Sequence, residues 1–117
     1  MAFSKQFADY ILELSEPIGP VTLRRMFGGA CLKYGTATFA LIKDDTVFLR
    51  VDEGNMDHFK VAKSYPFTYT RKNKEITLGS YYRMPDEALE DTELFVDWAK
   101  RSIDAAKRAE RAKDGNS

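Results

Sequence analysis

The run Thr22-Leu23-Arg24-Arg25-Met26-Phe27-Gly28-Gly29 sets two guanidinium groups and two glycines around a bulky apolar pair. Glycines beside cations suggest a phosphate cradle, since bare backbone N–H groups can turn toward an anion. A phosphate loop, however, carries its glycines, a lysine and a Ser or Thr between a strand and a helix. Here Ala30-Cys31-Leu32-Lys33-Tyr34 follows and reads as a strand, and no Gly-Lys-Ser/Thr occurs. The glycine pair is therefore expected to bend the chain between two strands, or to leave a smooth patch where neighbouring backbone comes close. Arg25, Met26, Phe27, Gly28 and Gly29 form a candidate partner-binding surface beside it. Consecutive strand residues point to opposite faces, so only one of Arg24 and Arg25 lines a site next to the glycines.

Two further residues could do chemistry. His58 is the only histidine and Cys31 the only cysteine, so a zinc site would have to be completed by carboxylates alone. His58 beside Asp57 has the make-up of a general base, but no spacing places a nucleophile near it. It is expected to be a solvated helix histidine, and Cys31 a small buried hydrophobe. No catalytic residues, metal or cofactor are assigned.

A second binding candidate is the basic and aromatic block from Tyr65 to Arg83. Arg71, Lys72, Lys74 and Arg83 stand there among Tyr65, Phe67, Tyr69, Tyr81 and Tyr82. Cations alternating with stacking faces suit single-stranded nucleic acid. The same block also suits a strand edge that pairs with another protein, and Arg71 to Lys74 reads as a hairpin tip.

The rest of the composition narrows the class. The chain has 117 residues, 44% of them hydrophobic, with eight Phe, six Tyr and one Trp, enough for one compact core. Formal net charge is zero, so no overall basic field marks a nucleic-acid binder. A single cysteine excludes an internal disulfide and fits a reducing compartment. Lys5, Asp9 and Glu13 interrupt the N-terminal apolar residues, which excludes a signal peptide or membrane span there. A cytoplasmic protein is expected.

Elements that would position these residues follow from periodicity. Phe3, Phe7, Tyr10, Ile11 and Leu14 make one helical stripe, capped by Ser4 and ended by Pro17, Gly19 and Pro20. Residues 22–27, 30–34, 38–42 and 46–51 read as an antiparallel meander. Asp52 to Asn55 then cap a short helix whose apolar residues are Met56, Phe59 and Val61. Three more strands are expected between Tyr65 and Met84, the first starting at a sheet edge because of Pro66, with Gly79 separating the last two. One short helical turn follows Pro85. Asp91 or Thr92 caps a long helix with Leu94, Phe95, Trp98, Ala99, Ser102, Ile103 and Ala106 on its apolar face. The expected domain is residues 1–112, with a disordered tail at 113–117. The class is α+β: an antiparallel sheet flanked by an N-terminal helix, a short middle helix and a long C-terminal helix.

The stretch RRMFGGACLKYGTATFALIKDDTVFLRVD, with YPFTY, YYRMPDEALED and FVDWAKRSIDAAKRA, resembles the N-terminal domain of the bacterial TfoX/Sxy family from about residue 5 to 109. Arg25, Met26, Phe27, Gly28 and Gly29 match its signature. The resemblance implies a fold like that of type III secretion chaperones. It also implies a link to the regulation of competence genes alongside a cyclic-AMP-responsive transcription activator. It supplies no active site. Two-domain relatives carry a further C-terminal domain, while this sequence ends at Ser117, so a stand-alone version of the N-terminal domain is expected. The expected function is a non-enzymatic protein-interaction domain, an accessory to transcription and competence that docks a protein partner or a second copy as a homodimer. The alternatives are direct nucleic-acid binding through Arg71, Lys72, Lys74 and Arg83, and a small-ligand or enzymatic pocket.

Overall fold

A computed structural model of the chain describes residues 4–26 and 28–115. Helix α1 (Lys5–Ser15) starts where Ser4 Oγ accepts the Phe7 N–H, satisfying one of the donors that a first turn leaves open. Ile11 and Leu14 bury its apolar stripe. Tyr10 is exposed, but its hydroxyl donates to the Leu89 carbonyl. Phe3 lies outside the described residues. A single 3-10 turn at Glu16–Ile18 and Gly19, at φ +123°, lead out of the helix.

Six strands follow: β1 (Val21–Met26), β2 (Gly29–Tyr34), β3 (Ala37–Lys43), β4 (Thr46–Arg50), β5 (Pro66–Arg71) and β6 (Lys74–Arg83). Helix α2 (Met56–Val61) lies between β4 and β5, and α3 (Asp86–Glu90) and α4 (Thr92–Gly115) close the chain. The strands form one antiparallel sheet in the order β1-β2-β3-β4-β6-β5, so β1 and β5 are its edges. The α+β class, the four-strand meander and the edge position of Pro66 all match the sequence reading. Hairpins turn on pairs that tolerate left-handed backbone. Asp44 and Asp45 sit at φ 52° and 54°, Lys72 and Asn73 at 51° and 63°, as a two-residue turn between twisted strands requires.

Where three strands were expected after Tyr65 there are two, because β6 runs straight through Gly79. The irregularity sits in the pairing instead. Phe67 pairs with Leu78, yet Pro66 pairs with Tyr82, so residues 79–81 have no counterpart on β5. From that point β6 has β4 on its other side as well: Ser80 accepts the Val51 N–H, and Tyr81, Tyr82 and Arg83 pair with Arg50, Leu49 and Phe48. A second irregularity lies in β3. Leu32 pairs with Ala40 and Lys33 with Thr38, which leaves Phe39 as the extra residue of a bulge. The bulge lets Phe39 and Ala40, consecutive in sequence, both bury completely.

All the helices lie on one side of the sheet's core. Phe95, Trp98, Ala99, Ile103 and Ala106 of α4 join Ile11, Leu32, Phe39, Ile42, Val47 and Leu49 in a single cluster. Asp91 caps α4 by accepting the N–H groups of Glu93 and Leu94, while Leu94 itself stays exposed. In α2 only Phe59 is buried. Val61, expected on the apolar stripe, is 82% exposed at the helix end. Asn55 does not cap α2 with its side chain. It ties the preceding loop instead, accepting the Asp52 N–H and donating to the Arg50 carbonyl. None of the described helices is long and apolar enough to cross a membrane.

Helix α4 continues to Gly115, and its late turns carry mostly charged side chains. Those charges are anchors. The Lys107 ammonium lies 5.0 Å from the Tyr34 ring centre, Glu110 accepts from Thr36, and Arg108 grips Asp52 through two hydrogen bonds of 2.6 and 2.8 Å. A side chain at position 54 would collide with Arg108, so Gly54 keeps that approach open. Residues 116 and 117 lie outside the described residues.

Two predictions follow from these contacts. The Asp52 carboxyl is held below its ordinary 3.8 chiefly by the Arg108 hydrogen bonds, against a smaller opposing effect of burial. With the folded value depressed, the unfolded chain takes up the proton first. The link's contribution is therefore complete above pH 3.8 and is lost as the pH falls below it. Because the pair is partly exposed, Asp52→Asn should cost about 1 kcal/mol or less at pH 7 and less again near pH 3, read by urea unfolding at both pH values. The glycine pair divides its roles. Gly28, at φ +76° in open space, serves the turn, whereas a Cβ on Gly29 would lie 2.4 Å from the Ile42 carbonyl oxygen. Gly28→Ala should cost about 1 kcal/mol, the strain of a left-handed L residue, and Gly29→Ala about 2 kcal/mol or more through overpacking. Equal urea midpoints for the two variants would contradict this division.

Candidate functional site

Directly paired residues of antiparallel strands share a face. Ala30, Ile42, Val47, Leu49 and Tyr82 belong to the helix side. The neighbouring row, Arg24–Cys31–Leu41–Phe48–Arg83, crosses five strands on the other side. None of the described helices covers this second face. It is partly roofed by the β5–β6 hairpin, whose Phe67 ring meets Phe48 edge-on at 4.8 Å and stacks on Tyr69 at 5.8 Å.

The result is a basin of about 1060 Å³. Its sheet side includes Met26, Gly29, Cys31 and Leu41, and its hairpin side Phe67, Tyr69, Leu78 and Tyr81. Five basic residues border it, Arg24, Arg25, Lys33, Lys43 and Arg71, and no acidic residue is among the described lining. Several cations already lie over aromatic rings. Lys43 Nζ is 5.7 Å from the centre of Phe67, and the Arg50 guanidinium is 5.5 Å from that of Tyr81.

The two stretches singled out in the sequence meet here, though not as whole groups. Met26 is 40% exposed and borders the basin with Gly29. Gly28 forms the β1–β2 turn, and Phe27 lies outside the described residues. Arg25 pairs opposite buried Ala30, which puts Arg24, opposite Cys31, on the open face; both arginines border the basin. Of the basic block, Arg71 lines the basin. Lys72 and Lys74 stand at the hairpin tip outside its lining, and Arg83 is bound to Asp86 at 2.6 Å with its guanidinium over Tyr65. Lys33 and Lys43 were overlooked in the sequence. Their signal was alternation, each lying one strand position from a residue of the helix-side core.

His58 and Cys31 do not form a catalytic pair, because Cys31 lies in the basin floor and His58 packs on the helix side. Among the described residues, no three of His, Cys, Asp and Glu converge as a metal site would require. His58 is also not the solvated residue its helix position suggested. Its ring stacks on Trp98 with centroids 3.7 Å apart and planes 14° from parallel, and its Nδ1 is buried without a hydrogen-bond partner. Loss of solvation there, reinforced by Arg101 and opposed by Asp97, pulls its pKa below the ordinary 6.5. The unfolded chain therefore binds this proton more readily, and stability should drop as the pH falls below 6.5. His58→Phe keeps an aromatic ring against Trp98 and removes the titration. Urea unfolding at pH 7.5 and 5.5 should show the parent losing more stability than the variant.

No curated protein matches the chain. The family model of the TfoX N-terminal domain matches residues 13–106, from the second half of α1 across all six strands and deep into α4. That span contains every residue lining the basin and most of the core beneath it, and the chain belongs to the TfoX N-terminal domain family.

Proposed function

We propose that this chain is a non-catalytic protein-binding module whose docking surface is the open sheet face beside the β1–β2 hairpin, acting as an accessory in the regulation of transcription and competence. The observation that carries this reading is the uncovered face itself. A sheet face over which no described helix lies, with Met26 exposed and Leu41, Leu78 and Tyr81 half-buried around it, is the kind of surface that soluble proteins keep for partners. Membership of the TfoX N-terminal domain family supports the competence link. Direct nucleic-acid binding through Arg71, Lys72, Lys74 and Arg83 is the weaker reading, because Arg83 lies apart from the hairpin tip that the other three share. Arg83 is held by Asp86, and the two lysines stand outside the basin.

A photo-crosslinking residue at Met26, compared with one at exposed Glu13 on α1, tests the docking surface in cells of the source organism. The expected result is a discrete adduct from position 26 and none from position 13. An adduct of twice the chain's mass would name a second copy as the partner. Equal adducts from both positions, or none from position 26, would overturn the reading.

A further inference from the structure

We infer that the basin receives an acidic, amphipathic polypeptide segment of a partner protein, with its carboxylates on the bordering cations and its apolar side chains on the floor. This rests on the reading of the open face as a protein-docking surface and specifies the chemistry of what docks there.

Charge is the first argument. Arg24, Lys33, Lys43 and Arg71 come from β1, β2, β3 and β5, so the cations are spread over four of the strands that border the basin. No carboxylate among the described lining residues balances them. A neutral apolar segment would cover these charges and strip their water without replacing it, which is unfavourable. An acidic segment supplies the counter-charges, and such complementarity selects partners and orients their approach.

Size is the second argument. Small-molecule pockets run to roughly 300–1,000 Å³. This basin, at about 1060 Å³ and open along the sheet, is better matched by a stretch of polypeptide than by one compact ligand.

The third argument separates polypeptide from nucleic acid. Single-stranded binders offer free aromatic faces on which bases stack. Here the rings are already engaged. Phe67 is stacked on Tyr69, meets Phe48 edge-on and carries Lys43, while Tyr81 carries Arg50. Bases would have to displace these contacts, whereas carboxylates can reach the cations from the solvent side and leave the rings in place.

The test uses the full chain and three labelled probes: a synthetic peptide of Glu, Leu and Ala with leucines at helical spacing, the same peptide with Gln for Glu, and oligothymidine. Fluorescence anisotropy at low and moderate salt should show saturable binding of the Glu peptide, about tenfold or more tighter than the Gln peptide and weaker as salt rises. Lys43→Glu with Arg71→Glu should weaken it by about tenfold or more, while Lys72→Glu, outside the basin, should leave it unchanged. If the doubly reversed variant fails to fold, Lys43→Gln with Arg71→Gln should still weaken binding at an unaltered urea midpoint. Equal binding of the Glu and Gln peptides would overturn the acidic specificity and leave the docking surface standing. Oligothymidine binding more tightly than the Glu peptide, and lost in the double variant, would overturn both readings in favour of nucleic acid. No binding of any probe to the folded chain would overturn the acidic inference, and the crosslink at position 26 would then decide the docking surface by itself.

Discussion

The seating of α4 on β3 and β4 sets the rest of the structure. Ala99 and Ala106 on the helix, with Ala30, Ala37 and Ala40 on the sheet, let the two layers approach closely around Phe39 and Phe95. The bulge at Phe39 adds to this by turning two successive residues toward the same layer. An antiparallel sheet can hold its core on one face and leave the other to solvent. With the described helices on that same side, the β5–β6 hairpin is the described element that roofs part of the other. The basin is thus a direct result of a one-sided core, and its apolar floor is the unroofed remainder of the opposite face.

The long-range anchors of α4 are polar and lie beyond that core. Arg108 with Asp52, Lys107 with Tyr34, and Glu110 with Thr36 tie its late turns to the loop before α2 and to the β2–β3 turn. Surface ion pairs contribute little individually. The Asp52 link is better placed than most, since Asp52 also accepts the Gly54 N–H and its own N–H is fixed by Asn55. Asn55 in turn reaches the Arg50 carbonyl and, at 3.5 Å, Ser102 on α4. The loop is therefore fastened at both ends, to the β4 strand that carries the open face and to the helix that carries the core.

Much of this was legible in the sequence because it depends on local patterning. The capping serine, the alternation of Val47 and Leu49 against Phe48 and Arg50, and Asp91 ahead of α4 all express short-range rules. What escaped depends on pairing between distant strands. Gly79 has the composition of a break, yet it sits where one strand shifts register on its first neighbour and takes on a second, and only the registers on β4 and β5 reveal that. The partners of the charged end of α4 lie more than fifty residues away, beyond any local pattern. His58 looked solvated because nothing near it in sequence announces Trp98. At the site, the sequence identified the glycine-adjacent segment and the basic-aromatic block but treated them as separate candidates. The curvature that brings Arg71 and Tyr69 over the same basin as Arg24 and Met26 is a tertiary property.

A net charge of zero, which argued against an overall electrostatic role, conceals an asymmetry that matters more than the total. Six acidic and no basic residues occupy positions 86–97, on α3 and the start of α4. Those helices pack on the core side, whereas the basin on the other face is bordered only by cations among its described charged residues. Past residue 97 the same helix carries six basic residues against three acidic ones, so the acidic patch is confined to α3 and the first turns of α4. A neutral protein with its charge gathered in patches does not accumulate polyanions indiscriminately, as a uniformly basic one does, but each patch still orients an approaching partner. Separating charge in this way gives selectivity of approach without a large net charge. It also explains why composition and net charge say so little about a surface whose meaning lies in which side of the sheet each residue faces.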